Sequence, residues 1–270
     1  MFEEIPETPY AMRKRIRFIY EEIGKRIKNT KSKRETRILD IGCGTGELVT
    51  IPLGSLGASV LGIDIDAPSI EHAKRENPFE NVRFECTSVD KLADQQFDFI
   101  ICSEVLEHLE DPAEMLNLIQ RMLKGDGICI VSIPNGYGPK EMEVRLYNLL
   151  SKVNLIGLLK LLKRNLKLKG RLRLRKGGEV KVSNLKDTLS TESPHIQFFS
   201  YGRFKSLLKD CNLSVIKMQN RRFLSGPFSD MLLSKSEVLL NWNVKIADKL
   251  PYFCVSSWMF IIERSRKKAG

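Results

Sequence analysis

The stretch Arg37-Ile-Leu-Asp-Ile-Gly-Cys-Gly-Thr-Gly-Glu-Leu48 decides the fold. A short apolar run ends in three alternate glycines, Gly42, Gly44 and Gly46, and passes directly into the helical spacing of Thr45–Leu56. Glycine at a strand-to-helix junction permits a positive φ and lets a ligand come close to the backbone. Purely structural turns use glycine as well, so the loop gains its meaning from two carboxylates. Asp40 stands two residues before Gly42, at the strand end, where it can face a cationic ligand group. Asp64 ends the next apolar run, about 20 residues on, where an acid bonds ribose hydroxyls. A dinucleotide-binding turn would carry glycine at the position of Glu47, and a carboxylate beside a helix N-terminus is a poor neighbour for a diphosphate. The pattern suits a cofactor with a ribose and an ammonium group but no phosphate.

Outward from this motif, Arg37–Gly42, Ser59–Ile65, Val82–Thr87, Phe97–Cys102 and Gly127–Ile133 read as strands. Helical spacing fills Pro68–Glu76, Glu104–His108 and Ala113–Lys124 between them, and residues 10–29 form a basic-faced helix in front. Such alternation predicts an α/β fold with a doubly wound, Rossmann-like, mostly parallel sheet. Past Asn135 the rhythm changes. Met142 to about Leu168 is helical, an alternating Leu/Lys/Arg run follows it, and 179–193 reads as a loop. Ser200–Cys211 then reads as a helix, and Leu213–Met218 and Ser256–Glu263 as two further strands. The domain reading is an N-terminal helix and cofactor-binding core over 1–135, a basic insert or acceptor lid over 136–194, and a completion of the sheet over 195–270. Within the last, 219–252 is too long for a plain connection and is expected to cover something.

With these motifs in place, the chain resembles the class I S-adenosylmethionine-dependent methyltransferases, over Arg37–Asn135 and again over His195–Cys211. Phe97-Asp-Phe-Ile-Ile-Cys-Ser-Glu-Val-Leu-Glu-His-Leu-Glu-Asp-Pro112 and Ile133-Pro-Asn135 are similar to the branch holding ubiquinone-pathway O-methyltransferases and glycan-cluster methyltransferases. The resemblance implies S-adenosyl-L-methionine as cofactor, a seven-stranded sheet and an antiparallel last strand at Ser256–Glu263. It also implies that Asp40, Gly42 and Gly44 contact the methionine part and Asp64 the ribose. Ile65 would pack on the adenine, Ser88 and Val89 border it, and Cys102 offer its carbonyl to the cofactor's amino group.

Methyl transfer is an in-line displacement, so the protein mainly aligns the nucleophile and, for a hydroxyl, removes a proton. His72 sits beside Glu71 and Lys74 and reads as a solvated surface residue. Glu104, Glu107 and His108 have i, i+3, i+4 spacing and would share one helix face just past a strand's C-terminal end. His195, in Pro194-His195-Ile-Gln, is similar to a histidine that the superfamily often carries before its next helix. Three readings stand together. His108 or His195 acts as a base; the four residues Glu104, Glu107, His108 and His195 hold a divalent metal; or the Glu-x-x-Glu-His run caps a short helix. The metal reading, shared with small-RNA 2′-O-methyltransferases, makes an RNA acceptor the alternative to a small molecule. A non-catalytic cofactor-binding scaffold is the third function.

The 270 residues are 42% hydrophobic and 29% charged, which places the chain among ordinary globular proteins. No apolar run approaches the roughly 18 residues of a membrane span, and the acidic start Met1-Phe-Glu-Glu lacks a signal-peptide core, so a cytoplasmic location is expected. Six scattered cysteines without a CxxC pair read as buried, reduced thiols. Of the net charge of +11, Ser151–Gly178 supplies ten basic residues and no acid. Leu155, Leu158, Leu159, Leu162 and Leu166 line one face there, with Lys152, Lys160, Lys163, Arg164 and Lys167 opposite. A basic amphipathic segment over residues 152–176 suits an anionic membrane surface or a lipid-linked acceptor. It lacks the interleaved aromatics that RNA binding uses.

Overall fold

The computed structural model describes residues 7–30, 32–152 and 196–265. Seven strands form one sheet: β1 (Arg37–Ile41), β2 (Ser59–Asp64), β3 (Val82–Cys86), β4 (Phe97–Ser103), β5 (Leu123–Pro134), β6 (Leu213–Arg222) and β7 (Ser257–Arg264). Their order is β3-β2-β1-β4-β5-β7-β6. The first five pair in parallel, and β7 runs antiparallel between β5 and β6. This is the α/β, doubly wound arrangement with a reversed last strand that the sequence predicts.

Strand residues alternate between two cores, one on each face. Leu39 and Ile41 of β1, Cys129, Val131 and Ile133 of β5, and Trp258 and Phe260 of β7 lie on one face. Helices α4 (Pro112–Met122) and α6 (Tyr201–Asp210) cover it through Leu116, Ile119, Phe204 and Leu208. Ile38, Ile101, Ile128, Ile130 and Ile261 point the other way, beneath α1 (Met12–Ile27) and α3 (Ala67–Glu76). Burial on both faces explains why these strands read as unbroken apolar runs rather than alternating ones. Helix starts follow local chemistry. Asp66 accepts from the Ser69 amide and Asp111 from those of Ala113 and Glu114, each with a proline in the first turn.

Four boundaries differ from the sequence expectation. The helix over Thr45–Leu56 shrinks to α2 (Thr50–Leu53) and a 3-10 turn at Gly54–Leu56, because Gly42, Gly44 and Gly46 all hold positive φ and extend the loop. Glu104–His108 is not an α-helix: Glu104 leaves β4 in the left-handed region (φ 59°), and only a 3-10 turn over Leu106–His108 follows. β5 starts at Leu123, four residues earlier than read. β6 continues to Arg222, four residues beyond Met218, so residues 219–222 belong to the sheet. The connection then carries α7 (Pro227–Leu233) and α8 (Glu237–Ala247). Asn243 of α8 ties it down by bonding both the amide and the carbonyl of Leu224, and Lys14 of α1 reaches Asp248 at 2.7 Å.

Helix α5 (Pro139–Lys152) begins where the basic insert was expected. The remainder of that insert, including its leucine stripe and the alternating Leu/Lys/Arg run, and also His195, lies outside the described residues. Among the described residues no helix is long and apolar enough to cross a membrane. All six cysteines are free, but only Cys102, Cys129 and Cys211 are buried. Cys86 is exposed, because it ends the edge strand β3.

Candidate active site

The strand registers place one set of residues along a single edge. Ile41 aligns with Ile63 and Cys102, Cys102 with Val131, Pro134 with Ser257, and Ser257 with Arg222. The C-terminal ends of β1, β2, β4, β5 and β6 therefore share one rim, where open α/β sheets bind ligands. Gly42, Asp64, Glu104, Asn135 and Arg222 stand on it.

At the β1–β2 end the glycine loop is fixed from two sides. The Gly44 amide donates to Asp64 Oδ2 at 2.8 Å, and Asp64 Oδ1 accepts from the Asp66 amide at 3.0 Å. Gly44 combines a φ of 53° with open space where a Cβ would stand, as a loop shaped for close ligand approach requires. Gly46 is glycine for another reason: a Cβ there would lie 2.5 Å from the Phe84 ring. Asp40 shares its face of β1 with Ile38 and lies beneath the loop, accepting from the Thr50 hydroxyl at 2.6 Å. Burial pushes its carboxyl up to about 7, against the pull of Thr50 and Arg15. Ile65 is 79% exposed just beyond Asp64, an apolar side chain left open at the rim. Ser88 is exposed with its hydroxyl on Asp90, while Val89 turns into the core. Cys102 is fully buried, its backbone paired between β1 and β5. An open glycine cradle, an acid at the end of β2 and an exposed aliphatic next to it fit S-adenosylmethionine. His72 lies on the surface, its Nε2 3.0 Å from Glu47 of the loop.

At the β4 end, Glu104, Glu107 and His108 do not share a helix face. The left-handed turn at Glu104 sends its carboxylate to Arg221 Nη1 and the Ser132 hydroxyl, both at 2.8 Å. Burial alone would raise the Glu104 carboxyl, but Arg221, then Arg15 and Arg222, outweigh it and hold it far below the ordinary range. Glu107 is turned inward and fully buried, and neither carboxylate oxygen has a hydrogen-bond partner. Burial, reinforced by the Glu104 charge, raises its carboxyl. Its carbonyl accepts from the Ile196 and Gln197 amides, which joins the turn to the segment entering α6. His108 is half-buried at the end of the turn. Among the described residues no three His, Cys, Asp or Glu side chains gather as a metal-binding group.

Further along the rim, a cleft of about 270 Å³ opens among Asn135, Tyr137, Tyr201, Tyr252, Phe253 and Trp258. Sequence reasoning did not single out these aromatics, nor Arg15, Arg221 and Arg222. For the last two the sequence offered only an adjacent pair, Arg221-Arg222, within a stretch read as connection.

Residues 32–190 match the family model described as a methyltransferase domain. The ubiquinone biosynthesis O-methyltransferase of Psychrobacter cryohalolentis is 33% identical over 106 residues, 37% of this chain and 41% of that protein. The same enzyme from Pelagibacter ubique is 36% identical over 128 residues, 45% of this chain and 52% of that protein. The chain thus matches about half or less of the length of these curated relatives. Among solved structures, a putative sarcosine dimethylglycine methyltransferase from Galdieria sulphuraria superimposes with a TM-score of 0.54 at 14% identity, covering 93% of this chain and 86% of that one. The 1,6-didemethyltoxoflavin-N1-methyltransferase of Burkholderia thailandensis, solved with its namesake compound and S-adenosylhomocysteine, gives 0.53 at 16%, covering 95% and 79%. At these identities the structural likeness concerns the fold.

Proposed function

The chain belongs to the methyltransferase-domain family, and from that premise we propose that it transfers a methyl group from S-adenosylmethionine to a hydroxyl oxygen of a small acceptor, a glycan, a lipid-linked compound or a quinone-like phenol. The observation that carries the reading is the coupling of the Gly44 amide to Asp64 at the rim, beside exposed Ile65. The curated O-methyltransferase relatives support oxygen as the acceptor atom. The bound cofactor supplies an electrophilic methyl group.

In this reading Asp64 receives the ribose hydroxyls and Ile65 lies against the adenine, with Ser88 and Val89 at its border. Asp40, Gly42 and Gly44 hold the methionine part, and the Cys102 carbonyl accepts from its amino group. His108, or His195, takes the proton of the acceptor hydroxyl as the oxygen bonds to the methyl carbon and the methyl carbon–sulfur bond breaks, its electron pair leaving with the sulfur of S-adenosylhomocysteine. The 136–194 segment and the connection holding α7 and α8 enclose the acceptor. The basic residues of 152–176 rest on an anionic membrane surface. Exposed Met142, Leu146 and Leu149 on α5, with Met231 and Leu232 on α7, supply apolar contact of the same kind.

The test is transfer of labelled methyl from S-adenosylmethionine to a panel of hydroxylated glycans and phenols. Label in an oxygen-linked methyl ether, reduced in His108→Gln, supports the reading. Label on nitrogen or carbon, or none on any acceptor, overturns it.

A further inference from the structure

Three guanidinium groups converge beneath the β4–β6 part of the rim and are short of partners. Arg221 and Arg222, at the end of β6, are 1% and 2% exposed, and Arg15, from α1, is 8% exposed. Arg221 spends one nitrogen on Glu104 and another on the Tyr10 carbonyl, yet its Nε has no acceptor. Arg222 stands over the Tyr10 ring at 5.2 Å, with Nε and Nη1 buried and unbonded. Among the described residues Arg15 donates to the Met12 sulfur, and its Nε is likewise unmet. Among the described residues, only Glu104 forms an ion pair with the group. Asp230 and Glu107 face it from α7 and the 106–108 turn, and burial raises both their carboxyls. Lys140 of α5 adds a further positive charge nearby.

Burying an unpaired guanidinium costs stability, and a purely structural arginine would be expected to end on a carboxylate or carbonyl. Two such arginines, each close enough to the engaged Arg221 to feel its charge, instead present the forked donors that receive a carboxylate or a phosphate. They lie at the β4–β6 part of the rim, where Arg221 pairs with Glu104. Resting on the methyltransferase reading above, we propose that Arg15, Arg221 and Arg222 form an anion subsite and that the methyl acceptor carries a carboxylate or phosphate group. Glu104 orients the subsite by holding Arg221. The same chemistry has a second source, the cofactor's own carboxylate, and the experiment separates the two.

The full chain is titrated calorimetrically with inorganic phosphate at constant ionic strength, with and without saturating S-adenosylhomocysteine, alongside Arg222→Met and Arg222→Lys. Phosphate is expected to bind wild type in both conditions. Arg222→Met should weaken it about 10-fold or more, the loss of a charge-assisted bond, and Arg222→Lys should fall between. S-adenosylhomocysteine affinity should stay within about twofold of wild type in both variants, because a factor of two is only about 0.4 kcal/mol. Unchanged phosphate affinity in Arg222→Met, or no phosphate binding by wild type, overturns the subsite. Phosphate excluded by S-adenosylhomocysteine also overturns it, by assigning the arginines to the cofactor. Failure of S-adenosylhomocysteine to bind wild type would overturn the cofactor reading instead, and the phosphate isotherm would still report on Arg222.

Discussion

Replacing Asp64 with alanine should weaken cofactor binding by about 100-fold while the fold survives. The carboxylate holds the Gly44 amide at 2.8 Å and the Asp66 amide at 3.0 Å and stands at the end of β2. Hydrogen bonds to a charged group contribute about 1.5–3 kcal/mol each, so two lost ribose hydroxyls remove at least about 3 kcal/mol of binding, or two decades in Kd. The cost to folding is smaller. Both amides lie near the partly exposed rim, where water replaces the lost acceptor, which limits the penalty to about 1 kcal/mol. Calorimetric titration with S-adenosylhomocysteine measures the first quantity and urea unfolding the second. Asp64→Asn, which keeps one oxygen acceptor, should lie between the two. Wild-type affinity in Asp64→Ala would refute the ribose assignment, and global unfolding of the variant would refute the division between loop and fold.

Three further outcomes follow from the charges. Glu22 is 7% exposed and bonded to Lys217 at 2.8 Å, Arg26 at 2.9 Å and Lys25 at 3.3 Å. Burial would raise its carboxyl, but these cations hold it down at about 2. Its contribution is present above the unfolded value of about 4.5 and disappears as pH falls toward 2. Glu22→Gln should therefore cost about 2 kcal/mol at neutral pH and almost nothing at pH 2, as read from urea midpoints; an equal loss at both would reject the pairing. Glu107 has the opposite sign. Its folded carboxyl keeps a proton that the unfolded chain releases near pH 4.5, so wild-type stability declines as pH rises above that value. Glu107→Gln should gain about 1–2 kcal/mol relative to wild type at pH 8 and less at pH 4; a gain that is flat with pH would mean the carboxyl is ionised in the fold. The protein should float with anionic and not neutral liposomes, and the triple change Lys163→Glu, Arg164→Glu, Lys167→Glu should abolish flotation. Flotation unaffected by that change would remove residues 152–176 as the contact.

The cofactor half of the rim was legible because its signals are local. Three glycines within five residues and an acid closing the next strand specify a loop whose amide and carboxylate then meet in space. The acceptor half was not, because its signals are long-range or conformational. Glu104, Glu107 and His108 have helical spacing, but the left-handed backbone at Glu104 sends its carboxylate to an ion pair while Glu107 turns inward and is buried. Arg15 and Arg221 are about 200 positions apart and meet only because β6 ends on the same edge as β4, an outcome of strand order that no local pattern encodes. The end of β6 was missed for a related reason. Gln219–Arg222 is polar and resembles a loop, yet it pairs with β7 to Ser257 after two register shifts.

The most direct test of the central claim is calorimetric titration of the full chain with S-adenosylhomocysteine, with chelator and again with added Mg²⁺, and a parallel titration with NADH. The account predicts one-to-one binding with a Kd on the order of 10 μM, about −7 kcal/mol, unchanged by Mg²⁺ because Glu104 is committed to Arg221, and no binding of NADH because Glu47 stands where a diphosphate would lie. Absence of S-adenosylhomocysteine binding, or its displacement by NADH, would contradict the assignment of the glycine loop and with it the proposed transfer.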